Sequence, residues 1–312
     1  MLRPESKIFV AGHRGLVGSA IVRQLQAQGF GNLLLRTRQE LNLEDQAAVR
    51  RFLADQRPDW VVMAAAKVGG IGANSTYPAE FIGVNLVMES NLIWGAFQEG
   101  VENFCFLGSS CIYPRETKQP IPETALLTGP PEPTNAPYAV AKIAGLVLCD
   151  SIRKQYGKNY FTVMPPNVYG PGDNYDLQNS HVLPALIRKF HAAKRAGDAS
   201  VTAWGTGSPR REFLFSDDVA DAIVYLMGRE QVPTMVNVGT GTSISIRELA
   251  ETVRRVVGFE GEIVWDTTKP DGFPEKTNDV TRLAELGWQA KRSLEEGIAL
   301  AYAAFQREHP DL

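Results

Sequence analysis

Apolar residues in the first half of the chain fall into short continuous runs separated by amphipathic segments. The runs predict strands over residues 7–10, 33–35, 60–64, 103–107 and 160–164, and the segments predict helices over 17–28, 44–55 (with Asn42 as its N-cap), 79–97 and 138–156. Runs without alternating polar positions indicate strands that are buried on both faces. The pattern therefore predicts an α/β fold, a doubly wound parallel sheet of the Rossmann type with ligands at the carboxyl ends of its strands.

The pattern changes after Met164. Pro165 and Pro166 lead into a Gly/Pro/Asn-rich stretch, and the remainder mixes short strands with helices predicted over 181–195, 217–227, 246–257 and 294–306. We predict a dinucleotide-binding domain over 1–165 with a returning segment near 214–240, in which Met235–Val238 rejoins the main sheet. Residues 166–213 and 241–312 would form a smaller mixed α/β domain that binds the substrate.

Composition narrows the classes of partner and compartment. The chain has 312 residues and a formal net charge of −3, so it offers no basic field that would attract nucleic acid or an anionic membrane. No apolar run approaches the ~20 residues that span a bilayer, and the N-terminal segment leads straight into a strand, unlike a signal peptide. Three cysteines without Cys-x-x-Cys spacing and four scattered histidines predict no disulfide and no metal site, which fits the cytoplasm.

A glycine loop opens the chain. Gly12, Gly15 and Gly18 follow the first predicted strand and begin a helix, with the spacing G-x-x-G-x-x-G. Glycines there allow the backbone to approach a pyrophosphate, whose charge is stabilised at the helix N-terminus. A tight turn without a ligand is the alternative, and the position between strand and helix favours a bound dinucleotide.

The end of the second predicted strand indicates which dinucleotide is bound. An NAD enzyme commonly places a carboxylate there for the ribose 2′-hydroxyl, whereas this chain has Arg36 and Arg38 and no acid before Glu40. Arginine binds a 2′-phosphate bidentately, and a carboxylate would repel it. The sequence therefore favours NADP over NAD, with a solvated basic edge as the alternative.

Tyr138 and Lys142 stand four residues apart and share one face of a predicted helix. A lysine cation favours the phenolate, so we expect a lowered Tyr138 pKa and a phenol that donates a proton near neutral pH. Ser109 and Ser110 follow the predicted strand 103–107 at its carboxyl end, where a hydroxyl can hydrogen-bond a substrate carbonyl. A capping or turn role is the alternative for these serines.

Cys111 lies on the same loop as Ser109, where a substrate is expected, whereas Cys105 and Cys149 are expected to be buried apolar residues. His181 begins a predicted helix after the Asn/Gly-rich stretch. The two could act as base and acid for moving protons beside a ketone. A lone histidine is more often structural, so the sequence alone leaves this pairing open.

Several strings resemble the extended short-chain dehydrogenase/reductase family, and within it the epimerase/reductases that act on GDP-4-keto-6-deoxymannose. These sequence segments are Gly12–Ala20, Ala64–Gly72, Leu107–Pro114, Glu132–Tyr138, Asn179–His181, Arg211–Phe213 and 269–272. The resemblance implies NADP(H) contacts from Gly12, His13, Arg14, Gly15, Leu16, Val17, Gly18, Arg36, Leu107, Gly108, Ser109, Ser110, Lys142, Pro165, Pro166, Asn167, Val168 and His181. It implies nucleotide-sugar contacts from Lys189, Trp204, Arg211 and Asp271.

The resemblance also implies two reactions in one site. Cys111 and His181 would invert C3 and C5, after which C4 is reduced with Tyr138 as proton donor, assisted by Lys142 and Ser109. It further implies a homodimer built through the helices after Ala79 and after Tyr138. Pro166, Phe273 and Glu275 depart from the residues expected at their positions.

Two other classes of function stay open at this point. One is a 4-epimerase or another reductase acting on a different nucleotide sugar, and Arg36 and Arg38 argue against the NAD-retaining 4-epimerase. The other is a dinucleotide-sensing or scaffold protein without catalysis. The presence of both Tyr138 and Lys142 argues against that class.

Overall fold

Strands and helices alternate along the computed structural model, which describes residues 2–177, 179–269 and 271–312. The strands in this part are β1 (Ile8–Ala11), β2 (Leu33–Leu34), β3 (Trp60–Met63), β4 (Asn103–Leu107), β5 (Asn159–Met164), β6 (Asn167–Tyr169), β7 (Ser200–Trp204), β8 (Arg210–Arg211), β9 (Phe213–Phe215), β10 (Met235–Asn237), β11 (Ile244–Ser245), β12 (Glu262–Asp266) and β13 (Glu275–Lys276). The helices are α1 (Leu16–Ala27), α2 (Gln46–Gln56), α3 (Ile71–Thr76), α4 (Pro78–Gln98), α5 (Ala136–Tyr156), α6 (Val182–Ala196), α7 (Ser216–Met227), α8 (Ile246–Val257), α9 (Thr281–Glu285) and α10 (Leu294–Glu308).

The central sheet is parallel throughout, with the strand order β10-β5-β4-β3-β1-β2. Successive side chains of β1 enter two different cores: Ile8 and Val10 pack with α1 and α7, and Phe9 and Ala11 pack with α2, α4 and α5. This division follows from the twofold alternation of side chains along a strand. Both faces of the sheet are therefore buried, and the predicted doubly wound fold is confirmed.

The second part of the chain packs a third apolar cluster between α6, α8 and α10. Small sheets surround it, with the strand pairs β12-β7 and β6-β9 and the three-stranded order β11-β8-β13. Capping boxes begin α8 at Ser245 and α10 at Ser293. In each, the serine side chain accepts the backbone N–H of the glutamate three residues later, and the side chain of that glutamate accepts the backbone N–H of the serine. These caps fix where the two helices start.

Strand β10 pairs with β5, with Val236 opposite Val163, so the predicted return of the chain to the main sheet is confirmed. The division into dinucleotide-binding and substrate-binding domains stays a prediction. The predicted N-cap at Asn42 was wrong, because α2 begins at Gln46 and the side chain of Asp45 accepts the Ala48 N–H. The Asn42 side chain accepts the Glu44 N–H instead.

The three cysteines are free thiols, with Cys105 and Cys149 buried and Cys111 half-buried. Among the described residues, no three His, Cys, Asp or Glu side chains come together in a way that could hold a metal ion. No helix in this part of the chain combines the length and apolar character needed to cross a bilayer.

Candidate active site

The glycine loop joins β1 to α1 in a conformation that accommodates a phosphate. Gly12 has φ of +84°, and a Cβ there would lie 2.7 Å from the Ala65 nitrogen. A Cβ on Gly18 would lie 2.1 Å from the Gly12 carbonyl oxygen, so α1 packs directly on the loop. Gly15 is the N-cap of α1 and supplies no side-chain cap. The first N–H groups of α1 are therefore available to an anion.

Arg36 and Arg38 differ in how freely they could reach a 2′-phosphate. Arg36 is half-buried, and its guanidinium donates to the Leu35 carbonyl oxygen at 2.9 Å and lies 5.5 Å from the Phe52 ring centroid. The Arg38 guanidinium is exposed and pairs with Glu44 at 2.6 Å. Burial and packing restrict Arg36 to one region at the edge of the sheet, which makes it the better-placed cation of the two.

The carboxyl end of β4 continues into a short 3-10 turn, Ser110–Ile112. The Ser109 hydroxyl accepts the Cys111 N–H at 3.2 Å, so the capping role considered for this serine is present. The same hydroxyl also hydrogen-bonds the Tyr138 phenol. Pro165, at the end of the neighbouring β5, fixes this turn by accepting the Ser110 N–H at 3.1 Å. Ser109 therefore connects the thiol-bearing turn to the tyrosine of α5.

The prediction of a lowered Tyr138 pKa was wrong. Burial raises the pKa of the Tyr138 phenol, and the nearby Cys111 and Glu89 raise it further, against the opposing hydrogen bond from Ser109. The Lys142 ammonium is 5.9 Å from the Tyr138 ring centroid and forms an ion pair with Glu89 at 3.1 Å. The phenol is therefore held in its protonated form, which suits a proton donor.

Lys142 is nearly buried and held from three sides. Its ammonium donates to the Leu107 carbonyl oxygen at 3.0 Å and lies 4.6 Å from the Phe106 ring centroid. The third contact is the Glu89 carboxylate of α4. Spacing within α5 identifies Lys142, whereas Glu89 stands 53 positions earlier in the chain and only the packing of α4 on α5 brings it to the site.

Cys111 lies within electrostatic range of Tyr138, Arg211 and Lys276. His181 is the N-cap residue of α6, and its imidazole makes no hydrogen bond to any other part of the chain that the structure describes. Surrounding protein lowers the pKa of His181 by desolvation, although the residue is accessible to solvent. The sequence indicated no role for Lys276.

The loop before His181 contacts a second segment that carries the family resemblance, Ala64–Gly72. The Gly70 N–H donates to the Asn179 carbonyl oxygen at 3.2 Å. A Cβ on Gly70 would lie 3.2 Å from the Ser180 carbonyl oxygen, so the two loops touch. This contact gives the glycine-rich string after β3 a physical role: it supports the loop that carries the imidazole.

Lys276 and Arg211 are neighbours because β13 runs parallel to β8 with these two residues in register. Arg211 donates to the Arg210 carbonyl oxygen at 2.8 Å and to the Phe273 carbonyl oxygen. The Lys276 ammonium makes no hydrogen bond or ion pair within the described part of the chain, and burial lowers the pKa of Lys276. Two partly buried cations side by side form a site suited to an anionic group.

The unexpected Glu275 is turned to the other face of β13. It is in register with Arg210 and accepts from the Ser243 hydroxyl at 2.8 Å. Because side chains alternate along a strand, its carboxylate points away from Lys276. The acidic departure from the family pattern therefore leaves the cationic pair intact.

The remaining predicted substrate residues gather at the end of β7. Trp204 is exposed, and the ammonium groups of Lys189 and Lys269 lie 5.6 and 5.7 Å from its ring centroids. Asp271 accepts the Thr206 N–H at 2.9 Å and the Thr206 hydroxyl at 2.6 Å, so it fixes the turn after β7. Pro270, within the string 269–272, lies outside the described residues.

A glycine loop on a doubly wound sheet, followed by a serine, a tyrosine and a lysine in contact, defines a short-chain dehydrogenase/reductase site. The chain belongs to the NAD dependent epimerase/dehydratase family, whose model matches residues 8–239. This match agrees with the family resemblance drawn from the motifs.

Individual relatives are similar over nearly the whole chain. GDP-L-fucose synthase 1 of Arabidopsis thaliana is 58% identical over 297 residues, covering 95% of this chain and 92% of that protein. GDP-L-fucose synthase of Escherichia coli K12 is 53% identical and covers 96% and 97% of the two chains. The structure of a GDP-mannoheptose C4 reductase from Campylobacter jejuni with NADP bound superposes with a TM-score of 0.90 at 38% identity, covering 98% and 100%.

Proposed function

We propose that this chain is an NADPH-dependent enzyme that epimerises GDP-4-keto-6-deoxy-D-mannose at C3 and C5 and reduces it at C4, giving GDP-L-fucose. The observation that carries the proposal is the convergence of Ser109, Cys111 and Tyr138 at the carboxyl end of β4, beside the cations Arg211 and Lys276. The identity to GDP-L-fucose synthases over nearly the full chain supports the choice of substrate.

The residues present fit NADP(H). The positive φ of Gly12 and the uncapped start of α1 suit the pyrophosphate, and Arg36 suits the 2′-phosphate. The other proposed contacts come from Arg38, Lys142 and the peptide segments 107–110 and 165–168. When bound, NADPH supplies the hydride that reduces the C4 ketone.

For the reduction, we assign the proton to Tyr138 and the carbonyl contact to Ser109. A phenol with a raised pKa stays protonated until the C4 oxygen becomes a strongly basic alkoxide. Transfer then breaks the phenol O–H bond and forms the C4 hydroxyl. Lys142, fixed by the Leu107 carbonyl oxygen, sits where it can support the phenolate left behind.

For the epimerisations, we assign Cys111 and His181 as the groups that exchange protons on opposite faces of the sugar. The protons at C3 and C5 are both adjacent to the C4 ketone, so their loss forms an enolate at the C4 oxygen. Each inversion breaks one C–H bond on one face and forms one on the other, with no net change in protons. The accessible imidazole of His181, with no partner among the described residues, suits this exchange.

For the nucleotide sugar, we assign the diphosphate to Arg211, Lys276 and Lys189, and base or ribose contacts to Trp204 and Asp271. The cations provide charge-assisted hydrogen bonds, and the exposed indole offers a stacking surface. Since the Asp271 carboxylate is already held by Thr206, its contribution would come largely through the turn it fixes.

We also propose a cytoplasmic homodimer built on α4 and α5. Exposed apolar side chains lie along these helices, namely Val87, Trp94, Val140, Val147 and Tyr156. Such a surface is favourable to bury against a second copy. The three free thiols suit a reducing compartment. Light scattering at several protein concentrations would measure the oligomeric state.

The first experiment is NADPH oxidation with GDP-4-keto-6-deoxy-D-mannose, with NADH in parallel and the product sugar identified by NMR. GDP-L-fucose formed preferentially with NADPH is the expected result. Cys111→Ser should lose most epimerisation and retain part of the C4 reduction, whereas Cys149→Ala, a buried thiol away from the reacting groups, should retain both. Epimerisation at the wild-type rate in Cys111→Ser would overturn the cysteine assignment.

A second candidate is C4 reduction without epimerisation, because the similar structure from Campylobacter jejuni is that of a GDP-mannoheptose C4 reductase. The same product analysis separates the two functions. An unepimerised 6-deoxy sugar from the wild-type protein would keep the assignments of Ser109 and Tyr138 and remove those of Cys111 and His181.

A further inference from the structure

Glu89 is a buried carboxylate in the middle of α4 that faces the candidate active site. Its side chain is 2% exposed, and its carboxylate lies 3.1 Å from the Lys142 ammonium, which is equally buried. Neither carboxylate oxygen accepts a hydrogen bond from any other group in the described residues. Lys142 is therefore the partner on which this buried charge depends.

A buried carboxylate in this position is energetically unfavourable, and the fold does not need a charged residue there. Burying a charge is strongly unfavourable, and apolar residues of similar volume often replace buried ion pairs without loss of stability. Gly145, one turn beyond Lys142, leaves room for both the Phe106 ring and this group, since a Cβ there would lie 2.6 Å from the ring and 3.0 Å from a Glu89 carboxylate oxygen. A larger residue at position 145 would therefore crowd the Glu89 carboxylate.

The charge of Glu89 acts on both reacting members of α5. Without it, the Lys142 ammonium would contact only the Leu107 carbonyl oxygen and the rings of Phe106 and Tyr138. With it, the tyrosine and lysine pair has one negative charge beside it, and that charge opposes release of the proton from the Tyr138 phenol.

Building on the proposed function, we propose that Glu89 is a positioning residue for the reduction. Its carboxylate fixes the Lys142 ammonium against the end of β4, and its charge keeps the proton on the Tyr138 phenol until the C4 oxygen takes it. Glu89 acts through Lys142 and Tyr138 and does not itself touch the substrate.

The titratable groups around this cluster are few. Glu89 faces Lys142 and Cys149 of α5, and Tyr138 faces Glu89 and the Cys111 thiol of the 3-10 turn. Burial raises the pKa of Glu89, and the Lys142 cation opposes that rise. Burial also raises the pKa of Cys149, with smaller contributions from Cys105 and then from Glu89. Loss of the Glu89 charge is therefore expected to affect Lys142 and Tyr138 most.

The test compares Glu89→Gln and Glu89→Asp with the wild type. Asp218→Asn is the matched control, since Asp218 of α7 is buried and paired with Arg292, outside the proposed site. Two quantities are measured from pH 6 to 10: the rate of the reduction in a single turnover, and the affinity for NADPH by fluorescence. The second needs no sugar substrate.

In Glu89→Gln, both quantities should begin to fall with rising pH inside this range, because removal of a neighbouring negative charge lowers the pH at which a group loses its proton, typically by about one to three units. In the wild type both quantities should stay level to pH 10. KM for the nucleotide sugar should stay unchanged. Glu89→Asp keeps the charge on a shorter side chain, so it should lower the rate without moving the profile. Asp218→Asn should lose stability and keep the wild-type profile.

Profiles of Glu89→Gln that superimpose on the wild type would overturn the proposal. If Glu89→Gln does not fold, Glu89→Asp decides: a wild-type reduction rate in that variant would also overturn it. A wild-type protein that does not reduce the sugar would refute the proposed function. A pH shift in NADPH affinity would then still support the role of Glu89.

Discussion

Glu212 is expected to be the most sensitive polar position outside the reacting groups. Its side chain is completely buried between β8 and β9. One carboxylate oxygen accepts the N–H groups of Thr240 and Gly241 at 2.6 and 2.8 Å, and the other accepts the Asn278 N–H at 2.7 Å. Its backbone carbonyl oxygen accepts the Asn167 side-chain amide at 2.9 Å. The residue thus joins the segments that follow β10 and β13.

Glu212→Gln has nearly the same shape, but one acceptor becomes a donor. Whichever way the amide is oriented, its NH2 group faces at least one backbone N–H, so a hydrogen bond to a charged acceptor is lost. Loss of such a bond with an unsatisfied buried donor costs about 1.5–3 kcal/mol. With an unfolding entropy of about 2.1 cal/mol/K per residue over 312 residues, Tm should fall by about 2–5 °C.

The pH dependence of this loss has a definite sign. Burial raises the pKa of Glu212 against the opposing hydrogen bonds. A carboxyl group whose pKa is higher in the folded than in the unfolded protein stabilises the fold fully at pH values below its unfolded-state pKa of about 4.3. That contribution is lost as the pH rises through its folded-state pKa. The gap between wild type and Glu212→Gln should therefore narrow from pH 5 to pH 8.

The assay is thermal unfolding followed by circular dichroism, with Glu230→Gln as the control. Glu230 is exposed and loses the same unit of charge. KM for the nucleotide sugar should also rise in Glu212→Gln, because Asn278 stands two residues from Lys276. A Tm equal to that of Glu230→Gln, or a gap that widens with pH, would refute the reasoning.

Three other substitutions test the site. Gly18→Ala should weaken NADPH binding at least tenfold, because the new Cβ meets the Gly12 carbonyl oxygen; unchanged binding in a fluorescence titration would contradict the assigned loop. Arg36→Ala should reduce the preference for NADPH over NADH by about tenfold, which corresponds to losing about 1.4 kcal/mol of a charge-assisted contact. If the ratio of the kcat/KM values for NADPH and NADH is preserved, Arg38 is the residue that binds the 2′-phosphate. Lys276→Met should raise KM for the nucleotide sugar about tenfold with little change in kcat, and a selective loss of kcat would assign this lysine to the chemistry.

The sheet could be predicted because its strands are buried on both faces, which leaves a clear signal of continuous apolar runs. Helix starts were less certain. Asn42 and Asp45 are both good capping residues, and only the folded chain shows that the Asp45 carboxylate reaches the Ala48 N–H. Strand β2 ends at Leu34, one residue before the predicted end, with Leu35 still half-buried beside it.

The site was predictable where its residues are close in sequence. Tyr138 and Lys142 follow from spacing within one helix, but the direction of the Tyr138 pKa does not, because burial and Glu89 act from other elements. Arg211 and Lys276 meet through the pairing of two strands of two residues each. Such short strands leave no pattern in the sequence, so Lys276 could not be recognised from it.

The late position of β10 in the chain has a consequence for synthesis and for engineering. Because Met235–Asn237 supplies the outermost strand next to β5, the main sheet stays incomplete on the ribosome until the segment that follows α7 has been made. A fragment that ends at residue 165 would expose the edge of β5, a template for pairing with other chains. Exchange of substrate-binding segments between relatives should therefore carry residues 214–240 with the N-terminal part, so that the sheet closes with its own strand.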